Sequence, residues 1–198
     1  MISTDLLLVI GLSYLLGSVP FGLVFTKMAG LGDVRDIGSG NIGATNVLRT
    51  GRKDLAIATL LLDAGKGAIA VLMTRYLVNP ELAALAGTAA FIGHCFPIYL
   101  RFKGGKGVAT FLGTVFAVNL TLGLATGGVW LLSALLSRIS SLSALIAAAC
   151  APVISYFVLG PDSWPPAAFM TVVIFIRHKD NIRRILKGEE PKLGKNNS

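Results

Sequence analysis

The chain has 198 residues, of which 54% are hydrophobic and only 14% are charged. A soluble domain carries about a quarter charged residues, so this composition excludes an ordinary soluble protein. The formal net charge of +8 would favour nucleic-acid binding in a soluble chain, but no nucleic-acid-binding motif is present and the cations lie between long apolar runs.

Four uncharged runs are long enough to cross a bilayer: 6–26, 82–100, 108–136 and 139–161. A membrane-spanning helix needs about 20 mostly apolar residues. Barrel strands would appear as alternating segments of about ten residues, and these runs do not alternate. The sequence therefore predicts an all-α integral membrane protein. The first run lacks a preceding basic residue and a clear cleavage site, so we interpret it as a retained span rather than a signal peptide.

Seven candidate spans occupy residues 5–27, 54–77, 81–100, 107–118, 121–137, 140–159 and 164–177. The uncharged stretch 107–137 is too long for one ordinary span, and Asn119 followed by a group of glycines predicts a turn within it. No linker or internal repeat divides the chain. We therefore predict a single domain over 1–198, built as a bundle of about seven transmembrane helices, with 191–198 as a flexible tail.

The distribution of cations predicts the orientation of the bundle. With the N-terminus outside and the C-terminus in the cytoplasm, every Lys and Arg except Lys66 and Arg75 lies on the cytoplasmic side, as the positive-inside rule requires. A five-span alternative, with 107–137 as one helix and 164–177 not crossing, satisfies the rule nearly as well. In the seven-span arrangement every loop rich in glycine and cations faces the cytoplasm, where these loops could form one site.

The first of these loops is GSGNIGATNVLR, residues 38–49, which we call the first loop. Its three glycines allow the backbone to approach a ligand closely. Its polar side chains offer hydroxyl and amide groups, and the planar guanidinium of Arg49 fits a phosphate or carboxylate. The alternative is an ordinary connection between helices, because Ser and Asn also favour helix N-termini.

The second is the glycine loop, residues 103–107 within RFKGGKGVAT. It fails the P-loop pattern because Lys106 is followed by Gly107 and the glycine spacing is wrong, so no nucleotide triphosphatase is predicted. Backbone N–H groups of a glycine-rich loop that leads into a helix still form a site for anions. The alternative is a basic turn that binds lipid head groups.

Two titratable residues lie inside a predicted span. Asp63 and Lys66 are three residues apart, so they share a helix face and can pair. Ionisable groups at membrane depth are costly and usually face the bundle interior. We predict a support role for this pair, in which it holds the first loop; the alternative is an ion pair that only locks helix packing. For His94 we expect a hydrogen bond to a neighbouring helix.

Two further segments carry polar groups. RHKDNIRRILKGEE, residues 177–190, predicts a short amphipathic helix at the membrane surface, and His178 and Asn181 share one face of it. The turn at 138–141 contains Ser140 and Ser141, either of which could cap the next helix or bind a polar ligand.

The chain shows no nucleophile elbow, no metal-ligand cluster and no His-x-x-x-x-Asp motif. These absences favour a reaction whose substrate brings its own activated bond, such as a mixed carboxylic–phosphoric anhydride. Orientation and charge stabilisation could then supply much of the rate enhancement.

Five segments are similar to one known family. They are SYLLGSVPFGLV, GSGNIGATNVLRTGR, LDAGKG, GHCFPIYLRFKGGKGVAT and RHKDNIRRILKGEE. Together they resemble the bacterial acyl-phosphate:glycerol-3-phosphate acyltransferase family over about residues 6–190. The resemblance implies a seven-helix enzyme of the bacterial inner membrane with its active site facing the cytoplasm. It would transfer a fatty acyl chain from acyl phosphate to the 1-hydroxyl of sn-glycerol 3-phosphate, as the first step of phospholipid synthesis. It also implies no cofactor or metal, and a functional link to the enzyme that makes acyl phosphate.

The resemblance and the side-chain chemistry together predict the site. Catalytic roles are predicted for Ser39, Asn41, Ser141, His178 and Asn181. Substrate-binding roles are predicted for Thr45, Asn46, Arg49, Lys103, Gly104, Gly105, Lys106 and Gly107. Asp63 and Lys66 are predicted to be structural supports. The alternatives are a transporter of a small phosphorylated anion and a membrane scaffold whose basic loops bind anionic lipid.

Overall fold

A computed structural model describes residues 4–193, and the regular structure in that range is entirely helical. Its α-helices are α1 (Thr4–Gly17), α2 (Phe21–Met28), α3 (Ala44–Val47), α4 (Lys53–Leu77), α5 (Ala83–Cys95), α6 (Val108–Val118), α7 (Leu120–Ser137), α8 (Ser140–Leu159), α9 (Trp164–Arg177) and α10 (Lys179–Leu186). Short 3-10 helices lie at Val34–Asp36, Leu48–Thr50, Pro80–Leu82 and Ile98–Leu100. The predicted all-α membrane architecture is confirmed.

Within residues 4–193, five segments are long and apolar enough to cross a membrane: Thr4–Met28, Lys53–Leu77, Pro80–Leu100, Leu120–Ser137 and Ser140–Leu159. Two shorter apolar helices, α6 and α9, fill the remaining predicted spans. Many large apolar side chains on the long helices are exposed, including Leu12 (66%), Leu136 (79%) and Phe157 (79%). Exposed side chains of this kind suit contact with lipid.

The chain divides into two units, the first ending at Val118 and the second beginning at Asn119. In the first unit, α4 packs against α5 and α6, and α1 packs against α5. In the second, α8 packs against both α7 and α9, and α10 follows directly from α9. The single-domain organisation inferred from the sequence stays a prediction.

Small residues let the helices of the first unit approach closely. A Cβ atom at Gly17 would overlap the carbonyl oxygen of Ala90, and one at Gly113 would overlap that of Ala64. Membrane helices use such small residues because close backbone approach, rather than exclusion of water, drives their association. The crossings of α1 with α5 and of α4 with α6 are therefore fixed by the backbone itself.

The long uncharged stretch is broken where a turn was predicted. Asn119 has extended backbone (φ −158°, ψ 131°) and its side chain accepts the N–H of Leu122, which caps the start of α7. The predicted break is confirmed, and 107–137 is not one continuous helix.

In the first unit, the guanidinium of Arg75 donates to the carbonyls of Ala117 (2.9 Å) and Val118 (2.7 Å) at the end of α6.

The C-terminal segment returns to the turn between α7 and α8. The N–H of Leu193 donates to the carbonyl of Arg138 at 2.7 Å. Of the tail predicted at 191–198, this bond involves the described part, 191–193, while 194–198 lie outside the described residues. The short helix predicted near the C-terminus is confirmed as α10.

Candidate functional site

The glycine loop, residues 103–107, lies on the end of α5. The N–H of Gly104 donates to the carbonyl of Cys95 (3.2 Å), and the N–H of Gly105 donates to the carbonyl of His94 (3.0 Å). These two N–H groups are bonded within the protein. This corrects the prediction that the whole loop backbone binds an anion, because the N–H groups at these two positions already have acceptors within the protein.

Close packing on α5 explains the three glycines of this loop. A Cβ atom at Gly104 would overlap the carbonyl oxygen of His94, and one at Gly105 would overlap the imidazole of the same residue. Gly107 has φ +82°, and a Cβ there would overlap the ring of Phe91. The loop therefore lies flat on the helix end only because it lacks side chains at these positions.

A buried polar network lies beneath the loop. Lys66 Nζ donates to Asp63 Oδ1 (2.8 Å) and to the carbonyl of Val19 (3.0 Å), and it lies 2.8 Å from His94 Nδ1. Lys66, Asp63 and His94 are all nearly inaccessible, with side-chain exposures of 1%, 3% and 4%. The hydrogen bond expected from His94 to a neighbouring helix is confirmed. His94 joins this network to the glycine loop, because its carbonyl accepts the N–H of Gly105. Support of the first loop by Asp63 and Lys66 stays a prediction.

Asn46 holds the first loop in shape and is 1% exposed. The two N–H donors of its amide nitrogen are shared among three backbone carbonyls within hydrogen-bond distance, those of Val34 (2.7 Å), Ile37 (3.0 Å) and Asn41 (2.8 Å). Its amide oxygen accepts from the N–H (3.1 Å) and the hydroxyl (3.3 Å) of Ser39. These contacts occupy the hydrogen-bonding capacity of the side chain, so they do not support the substrate-binding role predicted for Asn46.

Arg49 lies over Gly38 at the start of the same loop. Gly38 has φ +55°, and a Cβ there would lie 2.6 Å from Cδ and 2.9 Å from Nη1 of Arg49. The neighbouring Arg35 forms a 2.6 Å ion pair with Asp33, and its hydrogen bonds hold the pKa of that carboxyl well below the usual range. Arg52 likewise pairs with an aspartate at 2.6 Å. No ion pair of Arg49 is present among residues 4–193, whereas both of these arginines are paired.

The first loop and the segment that leads into the glycine loop share one hydrophobic cluster. Its buried members are Leu23, Val34, Ile42, Val47 and Ala56. Leu100, three residues before the glycine loop, packs against this cluster. The structure therefore brings these two predicted elements close to each other within the first unit.

The other polar residues predicted in these loops differ in exposure. Ser39, Thr45 and Lys103 are exposed, while Asn41 and Lys106 are half-buried. All five lie on loops or short helical turns rather than inside the long helices.

In the second unit, the carboxylate of Glu190 accepts hydrogen bonds from three side chains. Its Oε1 accepts from the Ser141 hydroxyl (2.7 Å) and the Asn181 amide (2.5 Å), and its Oε2 accepts from Arg184 Nε (2.7 Å). Burial alone would raise the pKa of Glu190, but these three hydrogen bonds outweigh burial and lower the pKa below its ordinary value. Glu190 therefore bonds to both Ser141 and Asn181, the two residues of this group with predicted catalytic roles. The sequence motifs assigned no role to Glu190 itself.

His178 lies at the junction of α9 and α10 and is 2% exposed. Its Nδ1 is 2.8 Å from the carbonyl oxygen of Ile174, and because a carbonyl only accepts, Nδ1 carries the proton in this arrangement.

The helix-capping alternative for Ser140 and Ser141 is not borne out. Ile139 occupies the cap position of α8 without a side-chain bond.

The predicted residues therefore form two groups, one in each unit. The first contains the two loops with Asp63 and Lys66, and the second contains Ser141, His178 and Asn181. Sequence reasoning gave no role to Glu190, whose partners lie 6 to 49 residues away along the chain.

Comparison with known proteins agrees with these motifs. A family model described as glycerol-3-phosphate acyltransferase matches residues 7–188. A glycerol-3-phosphate acyltransferase of Dinoroseobacter shibae is 56% identical over 190 residues, which cover 96% of this chain and 94% of that protein. The corresponding protein of Paramagnetospirillum magneticum is 61% identical over 181 residues, covering 91% of this chain and 90% of the relative.

A solved structure is also similar. The crystal structure of PlsY (YgiH), an integral membrane glycerol 3-phosphate acyltransferase, in its glycerol 3-phosphate form has a TM-score of 0.88 and 38% identity, and 96% of each chain is covered. The lysophosphatidic acid form of the same protein has a TM-score of 0.85, with 96% of this chain and 95% of that chain covered. The family resemblance predicted from the motifs is confirmed: this chain belongs to the glycerol-3-phosphate acyltransferase family and is an integral membrane acyltransferase.

Proposed function

We propose that this chain transfers a fatty acyl group from acyl phosphate to the 1-hydroxyl of sn-glycerol 3-phosphate, giving lysophosphatidate and inorganic phosphate. The observation that carries the proposal is the packing of Leu100, just before the glycine loop, on the hydrophobic core of the first loop. Two phosphorylated substrates require two neighbouring anion-binding elements, and this packing supports such an arrangement. Solved forms of PlsY with glycerol 3-phosphate and with lysophosphatidic acid support the same acceptor and product.

The first loop is proposed to bind the acceptor. Arg49 has a planar guanidinium without an acidic partner among residues 4–193, which suits a bidentate contact with a phosphate. Ser39 is exposed beside it, at the position where Asn46 fixes the backbone. Asn41 and Thr45 add polar groups along the same loop and orient the glycerol hydroxyls.

The glycine loop is proposed to bind the phosphate of the donor. Lys103 and Lys106 supply charge, and α6 begins at Val108 directly after the loop. The first N–H groups of a helix have no partner within that helix, and the helix dipole favours an anion there. Since the N–H groups of Gly104 and Gly105 are already bonded within the protein, the helix start and the lysines carry the binding.

The reaction needs no nucleophile from the protein. The 1-hydroxyl oxygen attacks the carbonyl carbon of acyl phosphate, the new ester bond forms, and the bond from that carbon to the phosphate oxygen breaks. The departing phosphate accepts the hydroxyl proton. Cations held around both phosphates stabilise the developing charge, and fixed orientation supplies the rest. The donor has to come from an enzyme that makes acyl phosphate, which is the functional link proposed for this chain.

Ser141, His178 and Asn181 are proposed to take part in catalysis as polar groups, as the motifs indicate. The carboxylate of Glu190 holds the Ser141 hydroxyl and the Asn181 amide in fixed positions. This shared partner supports a common role for the two residues.

We further propose the seven-span arrangement in the bacterial inner membrane, with the N-terminus outside and both anion-binding loops facing the cytoplasm. Helices at all seven predicted segments support it. The 11 residues of α6 rise only about 16 Å, less than the roughly 30 Å of a hydrocarbon core, so this helix would cross together with flanking non-helical residues.

The donor can be tested with purified protein. Glycerol 3-phosphate is incubated with acyl phosphate, acyl-CoA or acyl carrier protein in separate reactions, and lysophosphatidate is detected by mass. We expect product from acyl phosphate alone. Product from acyl-CoA or acyl carrier protein, with none from acyl phosphate, would contradict the proposed donor.

A further inference from the structure

We propose that the outer face of α10 binds the headgroups of anionic phospholipids at the surface of the bilayer. Four side chains form this face, which we call the basic face: Lys179, Arg183, Leu186 and Lys187. None of them belongs to either loop that is proposed to bind a substrate, so this binding does not depend on which acyl donor the chain uses.

Helical spacing places the basic face on one side of α10. Lys179, Arg183 and Leu186 follow one another at separations of four and three residues, which align side chains along a helix. Lys187 continues the helical backbone at the end of α10, with φ −88° and ψ −5°. All four side chains are exposed, whereas Asn181 is 5% exposed and donates to Glu190 within the second unit. The helix therefore packs on one side and presents the basic face on the other.

Carboxylates offset only part of the charge on the basic face. Lys179 and Lys187 form no ion pair within residues 4–193. Arg183 meets Asp180 at 3.7 Å, and the two side chains are 73% and 60% exposed. A pair this exposed contributes little and leaves both groups open to other partners. Together with the exposed Glu189, the carboxylates are fewer than the three cations, so the face keeps a positive charge that complements lipid phosphates.

Leu186 and the end of α9 favour a lipid surface over a soluble ligand. Leu186 is 83% exposed beside the cations of the basic face. On α9, Val172 (58%) and Ile176 (60%) are exposed in the way that suits lipid contact, and α10 begins three residues after Ile176. The helix therefore begins where an apolar span ends, at the level of the headgroups. An apolar side chain can enter the acyl boundary there while Lys and Arg reach the phosphates.

A fluorescent label at position 186 tests the contact in the full chain. The Leu186→Cys protein is labelled with a thiol-reactive fluorophore and placed in nanodiscs of phosphatidylcholine and phosphatidylglycerol, one of which carries brominated acyl chains as the quencher. We expect phosphatidylglycerol to bind about tenfold more tightly than phosphatidylcholine beside the label, since each basic residue near an anionic surface contributes about 1 kcal/mol before screening by salt. The unsubstituted chain, with Cys95 buried and Cys150 half-buried, gives the background.

Two charge-removal variants of the labelled protein separate the basic face from a general attraction of basic proteins to anionic lipid. The first neutralises the three cations of the face: Lys179→Gln, Arg183→Gln and Lys187→Gln. The control neutralises three exposed cations of the first unit: Lys27→Gln, Arg52→Gln and Lys53→Gln. We expect the first variant to reduce the preference for phosphatidylglycerol to within about twofold, as should about 0.5 M salt, and the control to leave it unchanged.

Three outcomes would overturn the proposal. Equal quenching by the two lipids would show that the headgroup charge is not recognised. A preference that survives in the first variant, or is lost equally in the control, would show that other cations attract the lipid. Quenching by neither lipid would place Leu186 in water, where an acidic protein rather than the bilayer would be the fitting partner.

Discussion

At the scale of single residues, Arg49 differs from the other arginines near the first loop. Arg35 and Arg52 are each paired with an aspartate at 2.6 Å, and Arg49 instead lies over Gly38 beside the start of the loop. Its charge is therefore offset by no carboxylate among the described residues. This arrangement supports the proposed role of Arg49 in binding glycerol 3-phosphate.

We expect Arg49→Ala to raise KM for glycerol 3-phosphate by about tenfold to a hundredfold, because a hydrogen bond to a charged group contributes about 1.5–3 kcal/mol. Steady-state kinetics with varied acceptor measure this change. Arg52→Ala is the matched control, since that exposed arginine has Asp54 as its partner and should leave the KM unchanged. A correctly inserted Arg49→Ala protein with wild-type kinetics would refute the role.

Glu190 predicts a pH dependence of stability. Its pKa is lowered in the folded chain because hydrogen bonds from Ser141, Asn181 and Arg184 outweigh the effect of burial. A carboxyl group with a lowered folded-state pKa stabilises the fold above its ordinary pKa, and this contribution is lost as the pH falls through the lowered value. The contribution is therefore complete at neutral pH.

Replacing Glu190 with Gln should lower the midpoint of thermal unfolding by a few degrees at pH 7, since about 1 kcal/mol shifts it by roughly 2–4 °C in a chain of this size. The difference from wild type should shrink as the pH falls below about 4. Unfolding of detergent-solubilised protein at several pH values measures both effects. Glu189→Gln, at the exposed neighbouring position, is the control and should change neither. A difference that is independent of pH would contradict the assignment to the carboxylate.

At the scale of helices, α4 and α6 pack closely beside Lys66, a member of the buried network. Gly67, one residue beyond Lys66, faces the carbonyl of Thr110 on α6, with the oxygen 2.5 Å from a Cβ built on the glycine. Gly65 lies on the same helix, and a Cβ there meets nothing within 4 Å. The two glycines therefore form a matched pair.

Gly67→Ala should destabilise the protein by about 1–3 kcal/mol, because the added methyl group forces α4 and α6 apart. Gly65→Ala should be neutral or stabilising by up to about 1 kcal/mol, since alanine favours a helix over glycine. Thermal unfolding of the two variants under identical conditions measures the contrast. Equal effects would show that the crossing is looser than the structure indicates.

Features formed by contacts between residues close in sequence could be predicted, and features formed by contacts between distant residues could not. The break at Asn119 was predicted from sequence because its cap is local, reaching only to Leu122. The glycine loop was recognised, but its glycines were explained by a ligand, since a glycine pattern does not show what fills the space beside it. His94 and Gly105 meet only after the chain turns back on α5. Glu190 was missed because its bond to Ser141 spans 49 positions.

At the scale of the whole molecule, the seven-span and five-span arrangements make opposite predictions for two positions. In the seven-span arrangement, residue 119 lies outside and residue 138 lies in the cytoplasm. In the five-span arrangement, residue 119 is within the membrane and residue 138 lies outside.

Single cysteines at these positions separate the two arrangements. A membrane-impermeant thiol reagent added to intact cells should label Asn119→Cys and should not label Arg138→Cys. The unsubstituted chain, with buried Cys95 and half-buried Cys150, gives the background. The reverse pattern would establish five spans and contradict our proposed topology.

The bond from Arg75 to the end of α6 has a consequence for biosynthesis. The chain is made from its N-terminus, so Arg75 is synthesised 42 residues before Ala117, the first of the two carbonyls that receive its guanidinium. Until then, the nascent chain carries an uncompensated charge at the far end of α4. We expect α4 to reach its final position only once α6 has emerged from the ribosome, so the two helices settle together rather than one after the other.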